Sequence, residues 1–290
     1  MVYEIENDRL RVKVRSYGAE LTSVFDKKTA TEHVWNADPN FWNWHAPVLF
    51  PVVGRCWNDN LLIHGDRYKM EKHGFARKSE FELLTHSPNE VVFRLINNPA
   101  TETGYPFAFE FYIGYRLDGR LLQNFYKVVN PGYGELYFSL GAHPALKVPF
   151  NKDENFEDYF IEFSKDTCLQ RQMINEDGFF TGEMREVLHG HPRLPLSRNM
   201  FDEDALIFKD LHSREVVIGS NKHEQKLRIR FADFPYLGLW SKNGANYVCV
   251  EPWLGCADSV DKQVEIEEKE GIIRLTGNRS FEAAFQIIVD

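Results

Sequence analysis

Cysteine is scarce in this chain, and its four copies are widely separated. Cys56, Cys168, Cys249 and Cys256 include no pair with the C-x-x-C spacing of zinc sites and dithiol redox centres. Such sparing use is typical of free thiols in a reducing cytosol. A chain of 290 residues can also bury most of its apolar surface without covalent staples. We therefore expect a protein that depends on neither disulfides nor structural zinc.

Long apolar runs and an excess of basic residues are also lacking. No stretch approaches the roughly 18 apolar residues of a membrane span, and the N-terminal "MVYEIENDRLRVKVR" has no apolar signal core. The 34 basic residues are outnumbered by 43 acidic ones, which gives a net charge of −9. Nucleic acids and anionic membranes both require a basic surface, so they are disfavoured as partners. We expect a soluble cytoplasmic protein, in which a local basic pocket could still accept a small anion.

Helical periodicity is scarce, whereas alternation of apolar and polar residues recurs along the chain. In "FAFEFYIGYRL" (107–117) every second residue is apolar, Asp118-Gly119 is a hairpin signal, and "RLLQNFYKVVN" is predicted to be the return strand. Only short segments near 39–45 and 257–267 are expected to form helical turns. Many antiparallel strands with few helices predict an all-β fold. We expect residues 1–290 to form one large antiparallel β-sandwich domain.

Polar residues gather where predicted strands end. Arg55 follows an apolar run in "FPVVGRCWN", His73 precedes a glycine in "EKHGFARKSEF", and His143 leaves a strand in "YFSLGAHPALKVPF". Glu251 ends an apolar strand in "YVCVEPWLGCAD", where burial would raise its pKa and suit it to act as a base, and Trp253 offers a flat face for a sugar. Each residue also has a structural interpretation, as an ion-paired side chain or a core histidine. Together they would form a metal-free acid–base site.

These stretches, taken in order, resemble the aldose 1-epimerase (galactose mutarotase-like) family, and most closely a divergent branch of it. The motifs are "FPVVGR", "HGFAR", "GAHPAL", "DALIF", "YLGLWS" and "EPWLGCAD", spread over residues 50–258. The resemblance implies a β-sandwich of the galactose mutarotase type, a small-molecule sugar substrate and no cofactor. It places catalysis on Glu251 and His143. The substrate-binding residues it implies are His73, Arg55 and Asp204 (with Asp202 as the alternative). Trp253, for its flat face, and Arg77, as a candidate phosphate ligand, complete the predicted binding residues.

The activity implied is interconversion of the α and β anomers of a free hexose by a monomer or homodimer. "HGFAR" also resembles hexose-6-phosphate mutarotases, in which Arg55 and Arg77 would hold the phosphate. A carbohydrate-binding or regulatory homologue without turnover, or a structural interaction module, are the remaining alternatives. Among the other histidines, His64 is predicted to lie in a surface hairpin turn. His189 and His191 lie in a proline-rich loop with no third metal ligand in view, so no metal is expected.

Overall fold

The computed structural model describes residues 1–260 and 263–290. This part of the chain is built from antiparallel strands with one short α-helix, Pro99–Glu102, and four 3-10 turns, Trp57–Asp59, Ala76–Lys78, Phe156–Asp158 and Ile266–Glu268. The strands are, in chain order, β1 Val2–Glu6, β2 Leu10–Arg15, β3 Glu20–Asp26, β4 Thr31–Glu32, β5 Val48–Leu49, β6 Asn60–Ile63, β7 Asp66–Lys69, β8 Glu82–Ser87, β9 Glu90–Ile96, β10 Glu110–Asp118, β11 Leu121–Val129, β12 Leu136–Phe138, β13 Leu140–Ala142, β14 Ala145–Lys147, β15 Tyr159–Phe163, β16 Leu169–Ile174, β17 Phe180–Leu188, β18 Arg193–Pro195, β19 Leu206–Phe208, β20 Glu215–Ser220, β21 Lys226–Arg230, β22 Tyr236–Trp240, β23 Tyr247–Leu254, β24 Ile273–Leu275 and β25 Ser280–Val289.

Two large sheets form the body of the sandwich. A nine-stranded sheet has the order β18-β15-β20-β21-β25-β11-β10-β9-β8, and an eight-stranded sheet has the order β17-β16-β19-β22-β23-β13-β5, with β14 also paired to β23. Their facing sides share one hydrophobic core, in which Phe163 of β15 meets Phe208 of β19 with ring centroids 5.7 Å apart. A four-stranded sheet, β1 to β4, adds to this core through residues such as Val12 and Val24. The predicted all-β sandwich is confirmed.

Local sequence signals account for many of these strands. In β10 the residues Phe111, Ile113, Tyr115 and Leu117 are buried, as the alternation predicts. β10 pairs with β11 across a two-residue loop, so the predicted hairpin is also found. Residues 39–45 contain a turn and no helix. The second predicted helical segment, 257–267, includes residues 261 and 262, which lie outside the described residues. A 3-10 turn begins at Ile266, near the end of this range. No helix in the described residues is long and apolar enough to cross a membrane.

Strand β23 connects the fold to the site because its two faces have different neighbours. Val248 and Val250 point into the main core between the two large sheets. Side chains alternate along a strand, so Glu251 and Trp253 belong to the opposite, outer face of the eight-stranded sheet, where they line a cavity. The sequence suggested that Glu251 ends its strand. The structure instead continues β23 to Leu254 and places Glu251 within it.

Candidate active site

A cavity of about 1080 Å³ lies on the outer face of the eight-stranded sheet, and we call it the site cavity. Its lining brings together six of the seven site residues predicted from the sequence. The predicted residues in the lining are His73, Arg77, His143, Asp204, Glu251 and Trp253, and they are joined by Trp42, Lys72, Asp202 and Trp240. Segments far apart in the chain therefore converge on one cleft.

Glu251 is the most deeply buried carboxylate in this lining, with 2% of its surface exposed. Its partner across the sheet is Gly238 of β22, and the missing side chain there leaves room for Glu251 and for the Trp253 ring. Burial raises the pKa of Glu251 well above its ordinary value of 4.5, since a buried carboxylate loses its hydration. The charge of Lys72 opposes this rise in pKa, and the charge of Asp204 adds to it.

His143 lies beside Glu251, directly after β13. The strand predicted to precede His143 is in fact two short strands in different sheets, because β12 pairs with β24 whereas β13 pairs with β23. That pairing brings His143 Nε2 to 3.2 Å from Glu251 Oε2. The Trp42 ring stacks on the imidazole with centroids 4.9 Å apart. Burial lowers the pKa of His143 to about 3, so the imidazole and the carboxyl group together hold one proton near neutral pH.

His73 is a second buried histidine, held at the edge of the same cavity. Its Nδ1 accepts a hydrogen bond from the Gly54 N–H at 3.1 Å, and the backbone N–H of His73 donates to the Gly54 carbonyl at 2.8 Å. Burial, aided by the charge of Lys72, lowers the pKa of His73 well below its ordinary value of 6.5. The ring is therefore neutral, and because Nδ1 accepts, the proton sits on Nε2. His73 can donate this hydrogen bond to a ligand.

Asp204 and Asp202 both line the cavity, but their surroundings differ. Asp204 is half-buried and acts on the pKa of Glu251, which places its charge near the Glu251–His143 pair. Asp202 is exposed and accepts a hydrogen bond from the Asn243 amide at 3.2 Å. Trp253 is buried at the floor of the cavity, where Gly141 and Gly238 leave space for its ring. Of the two aspartates, Asp204 is the better placed to reach a ligand beside Glu251.

Two cations reach the cavity from the segment around His73. Arg77 is mostly buried, donates to the Lys72 carbonyl at 2.7 Å, and lies over the Trp44 ring at 5.6 Å. Its Nε is buried without a hydrogen-bond partner, and its nearest carboxylate, on Glu71, is 3.9 Å away. Lys72 is exposed at the rim of the cavity. These two side chains make one wall of the cavity basic.

Arg55 is the one predicted site residue that the structure does not bring into the lining, which holds the other six. Its guanidinium forms a two-pronged ion pair with Asp59, with Nε–Oδ1 and Nη2–Oδ2 distances of 2.8 and 3.0 Å. A further bond at 3.1 Å joins it to the Asp177 carbonyl. The structural ion pair, which the sequence left open as the alternative, is what the structure contains. The carboxylate of Asp59 therefore accepts the hydrogen bonds that the Arg55 guanidinium would otherwise donate to a sugar.

The other histidines lie where the sequence predicted. His64 and Gly65 form the exposed turn between β6 and β7, both with positive φ. His189 is 80% exposed and 3.3 Å from Glu186, outside the cavity lining. Lys72 and Trp42 were not singled out as site residues from the sequence. Lys72 adjoins His73, which was the available signal, whereas Trp42 is one of six tryptophans in the chain and no local motif marks it.

Comparison with known proteins assigns the chain to a family. The sequence profile described as aldose 1-epimerase matches residues 1–266. The chain belongs to the aldose 1-epimerase family. It is similar to the plasmid-encoded protein LacX of Lactococcus lactis subsp. lactis, with 33% identity over 284 residues and 95% of each chain covered.

Solved structures of the same family share the fold. A galactose mutarotase related enzyme from Lactobacillus acidophilus is 34% identical, with a TM-score of 0.94 over 100% of this chain and 97% of the other. A galactose mutarotase-like protein from Lactobacillus casei is 30% identical, with a TM-score of 0.94 over 100% of both chains. The family and the sandwich of the galactose mutarotase type are thus established, and they support a mutarotase-type function.

Proposed function

We propose that this protein is an aldose 1-epimerase that interconverts the α and β anomers of a free hexose. The observation that carries the proposal is the Glu251–His143 pair, in which Nε2 and Oε2 lie 3.2 Å apart in the wall of the site cavity. Anomer interconversion needs one group that takes a proton and another that gives one, both close to a single carbon atom. A buried pair that shares one proton meets that requirement.

Ring opening begins when the proton of the pair passes from Glu251 to His143 across their 3.2 Å contact. Glu251 then takes the proton of the C1 hydroxyl as His143 protonates the ring oxygen O5. The C1–O5 bond breaks, the C1 carbonyl forms, and rotation about C1–C2 presents its other face. Ring closure runs the two proton transfers in reverse. O1 and O5 are attached to the same carbon, so two groups already within hydrogen-bond distance of each other can reach both. The pair holds one proton before and after each step, and no redox change calls for a cofactor.

The surrounding residues would bind and orient the sugar. The neutral His73 donates from Nε2, and the half-buried Asp204 accepts from hydroxyl groups beside Glu251. Trp253 provides an apolar face at the cavity floor. Trp42 stacks on His143 at 4.9 Å and thereby fixes the plane of the imidazole. Arg55 has no part in this proposed set, because Asp59 occupies its guanidinium.

The charges that line the cavity favour a neutral sugar. The Glu251–His143 pair is neutral when it holds one proton. The rest of the lining has five carboxylates and four cations, with the carboxylates on Glu176, Glu183, Asp202, Glu203 and Asp204, and the cations on Lys72, Arg77, Arg185 and Lys242. A phosphorylated sugar would experience net repulsion from such a lining. One observation nevertheless favours a hexose 6-phosphate as a second candidate. Lys72 and Arg77 form a basic wall, and the Nε donor of Arg77 has no partner.

The direct test is polarimetry on freshly dissolved α-D-glucose and α-D-galactose, with and without the protein. We expect faster decay to the equilibrium rotation, and the Glu251→Gln and His143→Ala variants should each lose at least about 100-fold in kcat while remaining folded. Near-normal activity in either folded variant would remove the assigned acid–base roles. Circular dichroism of each variant serves as the folding control.

The two substrate classes are separated by the same assay. With a neutral hexose as the substrate, Arg77→Gln should change kcat/KM for the free sugar by a few fold only, and inorganic phosphate should not compete. If the 6-phosphate is the substrate, glucose 6-phosphate should turn over faster than glucose, phosphate should compete, and Arg77→Gln should abolish this preference.

A further inference from the structure

Beneath the Glu251–His143 pair lies a thiol that the proposed reaction does not use. One ligand atom each from His143, Cys249 and Glu251 lies within 4.8 Å of the other two, and all three residues are buried. Cys249 and Glu251 are two residues apart on β23, so their side chains leave the same face of the strand. His143 reaches this face because β13 and β14, on either side of it, both pair with β23.

The spacing of these atoms suits a tetrahedral cation. Nitrogen and oxygen ligands at about 2.0–2.1 Å from zinc lie about 3.3 Å apart in tetrahedral geometry. The Nε2–Oε2 distance of 3.2 Å already matches this separation. A sulfur ligand at about 2.3 Å would lie about 3.5 Å from each of them. A thiol at the 4.8 Å limit would therefore need to move by roughly 1.3 Å to complete the set. Glu251 and His143 line the site cavity, which leaves the fourth position open to water.

The chemistry of the donors selects the cation. A thiolate, an imidazole and a carboxylate together favour zinc and similar thiophilic ions over magnesium and calcium, which prefer oxygen ligands alone. Cys249 itself does not line the cavity and lies among apolar and aromatic residues. An ion must therefore enter from the cavity, between His143 and Glu251, and reach the thiol behind them.

We propose that His143, Cys249 and Glu251 form a binding site for a thiophilic divalent cation such as Zn²⁺, and that the bound ion inhibits the protein. Binding displaces the thiol proton and the proton shared by the Glu251–His143 pair, so two protons pass to solvent. The metal then occupies the lone pairs that accept and deliver the proton during ring opening. Inhibition is competitive with the sugar. The inhibitory part rests on the proposed epimerase function, whereas the binding part does not.

Binding is tested by titrating the intact protein with Cd²⁺ and Co²⁺ in the presence of a phosphine reductant. We expect one thiolate-to-metal charge-transfer band that saturates at one ion per chain, and the visible spectrum of tetrahedral Co²⁺. The Cys249→Ser variant should lose this band. The matched control is Cys168→Ser, which removes the exposed thiol and should retain the band. If Cys249→Ser does not fold, Cys249→Ala replaces it, with melting curves recorded for each variant.

Inhibition is tested with Zn²⁺ in the polarimetric assay, with Mg²⁺ as the control ion and a chelator to reverse the effect. The zinc concentration for half-inhibition should rise at least about tenfold in Cys249→Ser, because a lost ligand costs at least as much affinity as a lost outer-shell partner. Equal inhibition of wild type and Cys249→Ser would overturn the proposal. So would an absent charge-transfer band, or one that persists without Cys249. The band is read without any sugar, so failure of the epimerase function would remain distinguishable from failure of the metal site.

Discussion

Replacing Glu251 with glutamine should make the protein more stable at pH 7 even though it removes the proposed base. The folded state favours a protonated Glu251, because burial raises its pKa well above the ordinary value of 4.5. The unfolded chain ionises this carboxyl freely at pH 7. Folding must therefore either take up a proton or bury a charge, and both oppose folding. Glutamine has nearly the same size, carries no charge and can donate a hydrogen bond to the neutral His143.

The ordinary pKa of Glu251 in the unfolded chain limits how much free energy of unfolding the Glu251→Gln variant can gain. The linkage cost at pH 7 is at most 1.36 kcal/mol for each pH unit above 4.5, or about 3 kcal/mol. Because the pKa of Glu251 is raised in the folded state, its contribution to the free energy of unfolding is fully present below pH 4.5 and is lost as the pH rises. The gain in Glu251→Gln should therefore be about 1–3 kcal/mol at pH 7 and close to zero near pH 4.5. His143 titrates in both proteins, so its own contribution largely cancels in the difference.

The assay is urea unfolding of both proteins at pH 7 and pH 4.5, followed by tryptophan fluorescence in metal-free buffer. Glu224→Gln, at an exposed position, is the matched control and should change the free energy of unfolding by less than about 0.5 kcal/mol. A Glu251→Gln protein less stable than wild type at pH 7 would refute the reasoning. It would mean that Glu251 and His143 form a charged pair whose attraction exceeds the cost of burial.

Three further predictions concern other parts of the molecule. Burial lowers the pKa of His33 to about 4. The contribution of the neutral imidazole to the free energy of unfolding is therefore present above pH 6.5 and lost as the pH falls. Wild type should thus lose about 2 kcal/mol at this site between pH 7.5 and 5, and His33→Leu, compared by urea unfolding, should not. Gly74 has a φ of +69° and its missing Cβ would collide with a backbone carbonyl, whereas Gly65 has a φ of +84° and open space. By thermal and urea unfolding, Gly74→Ala should cost at least about 2 kcal/mol and Gly65→Ala about 1 kcal/mol; equal costs would contradict the steric argument. Finally, kcat/KM should show no acid limb centred on 6.5, because burial lowers the pKa of His143 to about 3; such a limb in the pH–rate profile would show that His143 titrates normally.

The sequence carried most of the information about the fold. The alternation in residues 107–117 and the Asp118-Gly119 turn predicted the β10–β11 hairpin, since strand period and turn chemistry are both local. The sequence alone could not show which face of β23 lines the site cavity. That strand is buried on both faces, so its apolar residues do not alternate and Glu251 looked like a strand end.

Most residues of the site could be predicted from the sequence, but the hydrogen bonds and ion pairs that they form could not. His73 and His143 were singled out from their local context, but the Gly54–His73 hydrogen bond joins segments 19 residues apart, and only the fold brings them together. Arg55 shows the opposite case. Its partner Asp59 lies four residues on in the sequence, so the ion pair was a readable signal that competed with the functional interpretation.

Exchange NMR at anomeric equilibrium would show whether the Glu251–His143 pair interconverts sugar anomers. Wild type and Glu251→Gln would be compared at equal concentration on glucose, galactose and their 6-phosphates. We expect exchange cross-peaks between the α and β anomers of at least one sugar with wild type, and an exchange rate at least about 100-fold lower with Glu251→Gln. Equal rates for the two proteins, or no exchange on any of the sugars with wild type, would contradict this role of the pair and favour a carbohydrate-binding homologue without turnover.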